Sequence, residues 1–251
     1  MIALRALVTF AGLTVVWQAM VQVAGLPHYL LPAPTRVAAT MVARWDILWH
    51  NAQITMIEIA LGLVLGVLFG ASCALTLAAS RHARRWLMPV LITSQAMPTF
   101  ALAPLLVLWF GYGLGSKIVM AVIIIFFTVA SSFYDGLRRT EPGWLDLART
   151  MSATPMRILW LVRVPAALPS LATGVRVAAV YAPVGAIIGE WVGASRGLGY
   201  LMLQSNARMQ IDLLFAALIL LAGFSMALYA LVDVLLRRLI SWAPDRMPDD
   251  D

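Results

Sequence analysis

Charge is scarce in this sequence. Of its 251 residues only 12% are charged and 62% are hydrophobic, and the mean hydropathy is +0.87. A soluble globule of this size could not be covered by so little polar surface, so an integral membrane protein is expected. Lysine is nearly absent: of 18 basic residues Lys117 alone is Lys, it follows Ser116, and no Gly-Lys-Ser/Thr occurs anywhere. A nucleotide-binding P-loop is thereby excluded, and if ATP drives this protein another chain must hydrolyse it. Cys73 is the single cysteine and sits in an apolar run, which rules out an internal disulfide and a thiolate metal site. His28, His50 and His82 stand apart, without the spacing of metal ligands. The net charge of +6 is spread between apolar runs with no separate basic domain, so the basic residues read as topology signals and not as a nucleic-acid surface. No cofactor of its own is expected.

What is present is a series of apolar runs of membrane-spanning length. The first, residues 4–24, follows Arg5 and is about long enough for the roughly 30 Å hydrocarbon core; a cleaved signal peptide ending near Val23-Ala24-Gly25 is the rival reading, and an uncleaved helix is preferred. Residues 25–51, with Pro27, Pro32 and Pro34, read as an extended loop leading to a short interfacial helix carrying Trp45 and Trp49. The second span, about 52–79, carries Gly62, Gly66, Gly70, Ala74 and Ala78 at every fourth position, a stripe that lets another helix approach closely. Glu58 near its start needs the interface or a salt-bridge partner, or else contacts solute. The third span, about 87–110, contains Pro89, Pro98 and Pro104, tolerable where protein or a water-filled cavity satisfies the freed backbone; Pro98 and Pro104 are candidate pathway residues. The fourth span runs over about 117–136. The fifth, about 170–191, repeats the small-residue stripe at Gly174, Ala178, Ala182 and Ala186; Pro183 should kink it, and Glu190 continues the same face, which makes both candidate pathway residues. Arg176 is read as an anchor snorkelling to the cytoplasmic side, with a pathway role as the alternative. The sixth span is about 213–236 and ends on an Asp233–Arg237 pair at i, i+4. The acidic tail from Pro248 to Asp251 is expected to fray.

One polar interruption, Trp144 to Pro169, organises the rest. Trp144, Leu147, Ala148 and Met151 fall at i, i+3, i+4 and i+7, which predicts a short amphipathic helix with Asp146, Arg149 and Thr150 turned elsewhere and Pro155 ending it. The order of residues resembles the cytoplasmic "EAA" loop of permease subunits of ATP-binding-cassette importers. Asp146, Leu147 and Ala148 stand at the Glu-Ala-Ala positions, Ser152 at the Gly position, and Leu168-Pro169 closes the pattern; Asp for Glu and Ser for Gly are the two departures. A helix lying on the bilayer surface is the alternative reading of the loop taken alone. The Pro-rich stretch SQAMPTFALAPLLVLWFGYG is similar to that of the nitrate, sulfonate and taurine branch of these permeases. Residues 189–212, with the Gly197-Leu198-Gly199-Tyr200 turn, resemble the segment after that branch's fifth helix, and residues 190–202 look closest to permeases for thiamine-precursor pyrimidines.

The resemblance implies an all-α integral membrane fold of six transmembrane helices with a cytoplasmic coupling helix. Residues 1–50 would form the first helix and an external segment, 51–240 the permease core with its coupling loop at 141–169, and 241–251 a cytoplasmic tail. It also implies an ATPase subunit that docks on Trp144, Asp146, Leu147, Ala148, Met151 and Ser152, a periplasmic or surface-tethered solute-binding protein, a permease homodimer, a lipid surround, and a bacterial cytoplasmic membrane. With six spans and both termini inside, twelve basic residues fall on the inner face and five, Arg36, Arg44, Lys117, Arg196 and Arg208, on the outer, in line with the positive-inside rule. The small-residue stripes could pack helices within one subunit or between two. A secondary transporter working without ATP and a membrane-embedded enzyme or scaffold are the competing functions; neither an inverted repeat nor a nucleophile-base set is seen in the sequence.

Overall fold

The computed structural model describes residues 2–242, and the expected tail, with Arg246, falls outside them. The described residues form helices α1 (Ile2–Val23), α2 (Pro34–Ala43), α3 (Trp45–Ala79), α4 (Arg81–Ala96), α5 (Thr99–Phe110), α6 (Leu114–Arg138), α7 (Pro142–Thr150), α8 (Pro155–Ile158), α9 (Val164–Gly193), α10 (Leu198–Ala207) and α11 (Ile211–Leu239).

Four of the expected spans are single helices long and apolar enough to cross a bilayer: α3, α6, the continuous run Pro155–Gly193, and α11. The third is not one helix but two, α4 and α5, bent by 104°. Pro98 stands at the break: the proline ring disfavours helical backbone at Met97, which is extended, and α5 restarts at Thr99. The first offers a shorter apolar helix, Val8–Val23.

Two boundaries move. The second span begins at Trp45 and not near residue 52, so Trp45 and Trp49 lie in its own first turns, stacked at 5.8 Å, and the short preceding helix is α2. The fifth begins not near residue 170 but at Pro155, and the chain stays helical past Pro165 and Pro169. A π turn over Leu159–Arg163 explains how: it closes with the Val164 N–H bonding the Leu159 carbonyl, five residues back, just before a proline that has no N–H to give. Pro155 does not end the loop helix either; α7 has already stopped at Thr150, and Pro155 opens α8 with the Thr154 hydroxyl accepting from the Arg157 N–H.

α6 is the axis of the bundle, packed between α3 and α9. Both small-residue stripes face it. A Cβ on Gly62 would stand 2.5 Å from that of Ala121, and one on Gly66 would stand 2.7 Å from Ile125. From the other side Gly174 abuts Ser132, and Ala178, Ala182 and Ala186 are fully buried around Ala121 and Ile125. The stripes therefore serve packing inside one subunit. Arg36 of α2 bonds Asp212 of α11 at 2.7 Å, tying the segment before α3 to the last helix. Asp233 accepts from Arg237 at 2.9 Å, as the i, i+4 spacing predicts, and also from Arg176 at 2.7 Å, so Arg176 is an anchor between α9 and α11.

Candidate functional site

The polar loop folds as the sequence predicts in type but with its own termini. α7 starts on Pro142, whose fixed φ and missing N–H suit a first helical position. It ends in a Schellman turn: the Ala153 N–H reaches the Ala148 carbonyl at 3.0 Å, and Ser152 adopts a left-handed φ of 58°. Ser152 thus occupies the one backbone position of this loop at which glycine is favoured.

The apolar stripe of α7 is turned outward. Trp144 is 52% exposed, Leu147 62% and Met151 75%, while Ala148 is half-buried. Met156, Trp160 and Leu161 on the following turns are exposed as well. Beneath α7, Trp144 shares a cleft of about 550 Å³ with Leu161, Pro165, Pro169 and Trp242. Asp146 caps nothing; it pairs with Arg149 of the same helix at 2.8 Å, both exposed. Apolar side chains clustered beside such charges on one short helix are the signature of a surface meant to be covered.

A second constellation lies far from this loop. Glu58 and Lys117 form an ion pair at 2.7 Å, their side chains 0% and 6% exposed. Glu190 is buried beside them and receives the Thr55 hydroxyl on Oε1 at 2.6 Å. Its Oε2 takes the backbone N–H groups of Gly199 at 2.5 Å and Tyr200 at 3.3 Å. Thr55 Oγ1 in turn accepts from the Leu198 N–H at 2.8 Å, and Asn51 Oδ1 from the Gly197 N–H at 2.9 Å. Three side chains thereby hold four consecutive backbone N–H groups at the start of α10, which satisfies the donors a helix N-terminus leaves open. Gly197, at a φ of 116°, admits no side chain, because a Cβ there would run into the Glu190 carboxyl group. From Glu58 to Ala79 the axis of α3 spans roughly 30 Å at the helical rise, so this cluster and the α7 loop mark opposite ends of the bundle.

The four candidate pathway residues do not converge. Pro98 and Pro104 are exposed on the broken α4–α5 pair, whereas Pro183 and Glu190 are buried in α9. Glu190 faces no open path in this conformation; it is spent on the α10 turn. Lys117, counted from sequence with the outer loops, is instead inside the bundle, since Glu58 requires a cation there. Asn51 and Thr55 were not singled out by sequence reasoning, yet they stand with Glu58 at i, i+4 and i+7, one polar face of α3 continuous with Gly62.

An exposed apolar face on α7 and a bundle of helices long and apolar enough to cross a membrane occur in one chain. Residues 62–241 match the family described as binding-protein-dependent transport system inner membrane component, and the chain belongs to it. It is a permease subunit of an ATP-binding-cassette importer, in the branch that includes pyrimidine, sulfonate and taurine permeases. Among its relatives, a probable ABC transporter permease protein of Haemophilus influenzae is 52% identical over 94% of this chain and 97% of its own length. The formylaminopyrimidine transport permease protein ThiX of Halalkalibacterium halodurans is 33% identical over 96% of each. In fold, the chain resembles a subunit of the inward-facing MetNI methionine ABC transporter, with a TM-score of 0.62 at 22% identity over 80% of this chain and 97% of that one. Membership implies an ATPase subunit and a binding protein as partners and does not favour a secondary transporter.

Proposed function

We propose that this subunit takes a small organic solute from a binding protein and passes it across a bacterial cytoplasmic membrane as a permease homodimer with both termini inside. ATP is bound and hydrolysed by the partner ATPase, whose groove receives Trp144, Leu147, Ala148 and Met151, with Asp146 and the Ser152 turn at its edges. The observation that carries this reading is the outward apolar face of α7, an arrangement that costs free energy in water and is relieved by burial in a partner. α7 is joined by a four-residue turn to a helical run that continues to Gly193. A push on α7 therefore reaches the other end of the bundle along one element, the geometry alternating access requires.

For the solute, a thiamine-precursor pyrimidine or related heterocycle is the first choice, and a sulfonate, taurine or nitrate the second. The likeness to ThiX across nearly the whole chain supports it. The Glu190–Met202 stretch supports it less than its wording suggests, because its polar atoms are occupied in holding α10. Pro98 and Pro104, at the break and on the exposed side of α5, are assigned to the pathway between the two copies.

Ala148→Asp tests the coupling assignment. A carboxylate placed on the docking face costs several kcal/mol on burial without a partner, so solute uptake and co-purification of the ATPase should fail while permease abundance in the membrane holds. Normal uptake together with normal co-purification would place α7 on the membrane surface or in solvent and remove the assignment.

A further inference from the structure

Behind α7, on the side away from the exposed apolar face, lies a cleft of about 520 Å³ lined by Arg81 and Arg84 of α4, Arg149 of α7 and Arg163 at the end of the π turn, with Leu145 and Ile158 among the apolar contributors. Among the described residues no acidic side chain lines it. Four guanidinium groups from three separately folded elements therefore converge on one concavity. The only carboxylate that any of them bonds among the described residues is Asp146, on the exposed Arg149. Arg84 has a long 3.5 Å contact to the neutral Tyr134 hydroxyl and nothing stronger.

The positive-inside rule accounts for arginines in this part of the chain, but not for what is done with Arg163. Its Nε is sealed from solvent and has no hydrogen-bond acceptor. A buried N–H of a charged group left unpaired is costly, and the cost is relieved when an anion's oxygen reaches that N–H. Like charges facing one another across the cleft also push α7 away from α4 unless counter-charge sits between them. The N-terminus of α4 opens at Arg81 and adds the positive end of its dipole to the same place.

We propose that this cleft is a binding site for a phosphate oxyanion, either the headgroup phosphate of an acidic phospholipid or free inorganic phosphate, which bridges α7 to α4 and to the π turn. Phosphate fits better than a single carboxylate. It offers three or four acceptor oxygens to planar guanidinium forks approaching from different directions, and its charge balances more than one of them. The bound group fixes the distance between α7 and the membrane helices, so its occupancy sets how stiffly a push on α7 is transmitted.

The test uses the full-length permease with its co-purified ATPase. Retained lipid is counted by native mass spectrometry after reconstitution in discs of phosphatidylcholine with or without phosphatidylglycerol, and inorganic phosphate binding is titrated in the pure phosphatidylcholine discs. Arg163→Gln should lower retention of phosphatidylglycerol, or affinity for phosphate, by about tenfold, the loss of one charge-assisted contact. Arg138→Gln, on the same side but outside the cleft, should change neither. Loss confined to phosphatidylglycerol identifies a lipid headgroup; loss confined to inorganic phosphate identifies the free ion. Should Arg163→Gln fail to accumulate, the double variant Arg81→Gln/Arg84→Gln carries the test, because both residues are exposed and their one contact to the core is the long one from Arg84 to Tyr134. Unchanged binding of both probes in the cleft variants overturns the proposal. So does unchanged binding with reduced ATPase co-purification, which would make the cleft a protein dock.

Discussion

Lys117→Met offers the most informative single perturbation, because the Glu58–Lys117 pair is both deeply buried and absent from the outer loop where sequence places Lys117. Removing one partner of a buried ion pair strands the other charge, at a cost of about 3–5 kcal/mol. At about 2–4 °C per kcal/mol for a chain of this length, the unfolding midpoint should fall by roughly 6–20 °C. The neighbouring carboxylate makes the two halves unequal. Glu190 is close at hand, held by Thr55 one turn from Glu58 and adjoining Gly189, which packs on Lys117, so Glu58→Gln leaves Lys117 a second acidic group nearby, whereas Lys117→Met leaves two acidic groups without a cation. Glu58→Gln should therefore be the milder single change. The double variant should recover most of the loss, since a pair of similar volume without charge has no desolvation to overcome. Thermal unfolding of the purified protein in detergent, followed by the fluorescence of its nine tryptophans, measures all three. A Lys117→Met midpoint within about 2 °C of the parent, less than 1 kcal/mol on the same scale, would refute the claim that this pair holds α3 to α6.

Ser152→Gly should stabilise the α7 turn by about 1 kcal/mol, the steric cost that a left-handed residue with a side chain bears; the readout is hydrogen exchange of the Ala153 amide, with uptake unchanged. Gly66→Leu should abolish accumulation in the membrane because even its Cβ meets Ile125 at 2.7 Å, whereas Gly223→Leu, with nothing within 4 Å of its Cβ, should be tolerated; immunoblots of membrane fractions compare the two. Single cysteines at Ser80 and Ser152 in a Cys73→Ala background should label only from the cytoplasm and one at Ser195 only from outside, the orientation that the charge bias favours, twelve inner basic residues against four outer once the buried Lys117 is set aside; labelling of position 152 from outside would reverse the topology.

Local patterns were legible in the sequence, and distant pairings were not. The α7 face followed from spacing within eight residues, and the small-residue stripes from a four-residue repeat, because both are properties of one helix surface. What those stripes touch was not readable, since packing on α6 depends on a partner more than 40 residues away. The same limit applies to charge. Glu58 announced that it needed the interface, a salt-bridge partner or solute, and Lys117 was the sole lysine, but the sequence places it at the margin of a span, where a loop charge and a buried one look alike until a neighbour is known. Prolines misled in a third way. Pro155 was taken as the end of the loop helix and the fifth span was begun only after Pro169, yet a proline at a first turn costs nothing, and one preceded by a π turn is accommodated without breaking the helix. Pro98 did break one, because Met97 before it is extended. Val164 before Pro165 keeps helical backbone angles, and Met97 before Pro98 does not. The pathway assignment rested on prolines and on Glu190 as separate markers; the fold puts Glu190 to work beneath the Gly197–Tyr200 turn. There it restrains the end of α9 opposite α7, so a movement transmitted along that helix has to carry the Glu190 carboxylate, and the turn it holds, along with it.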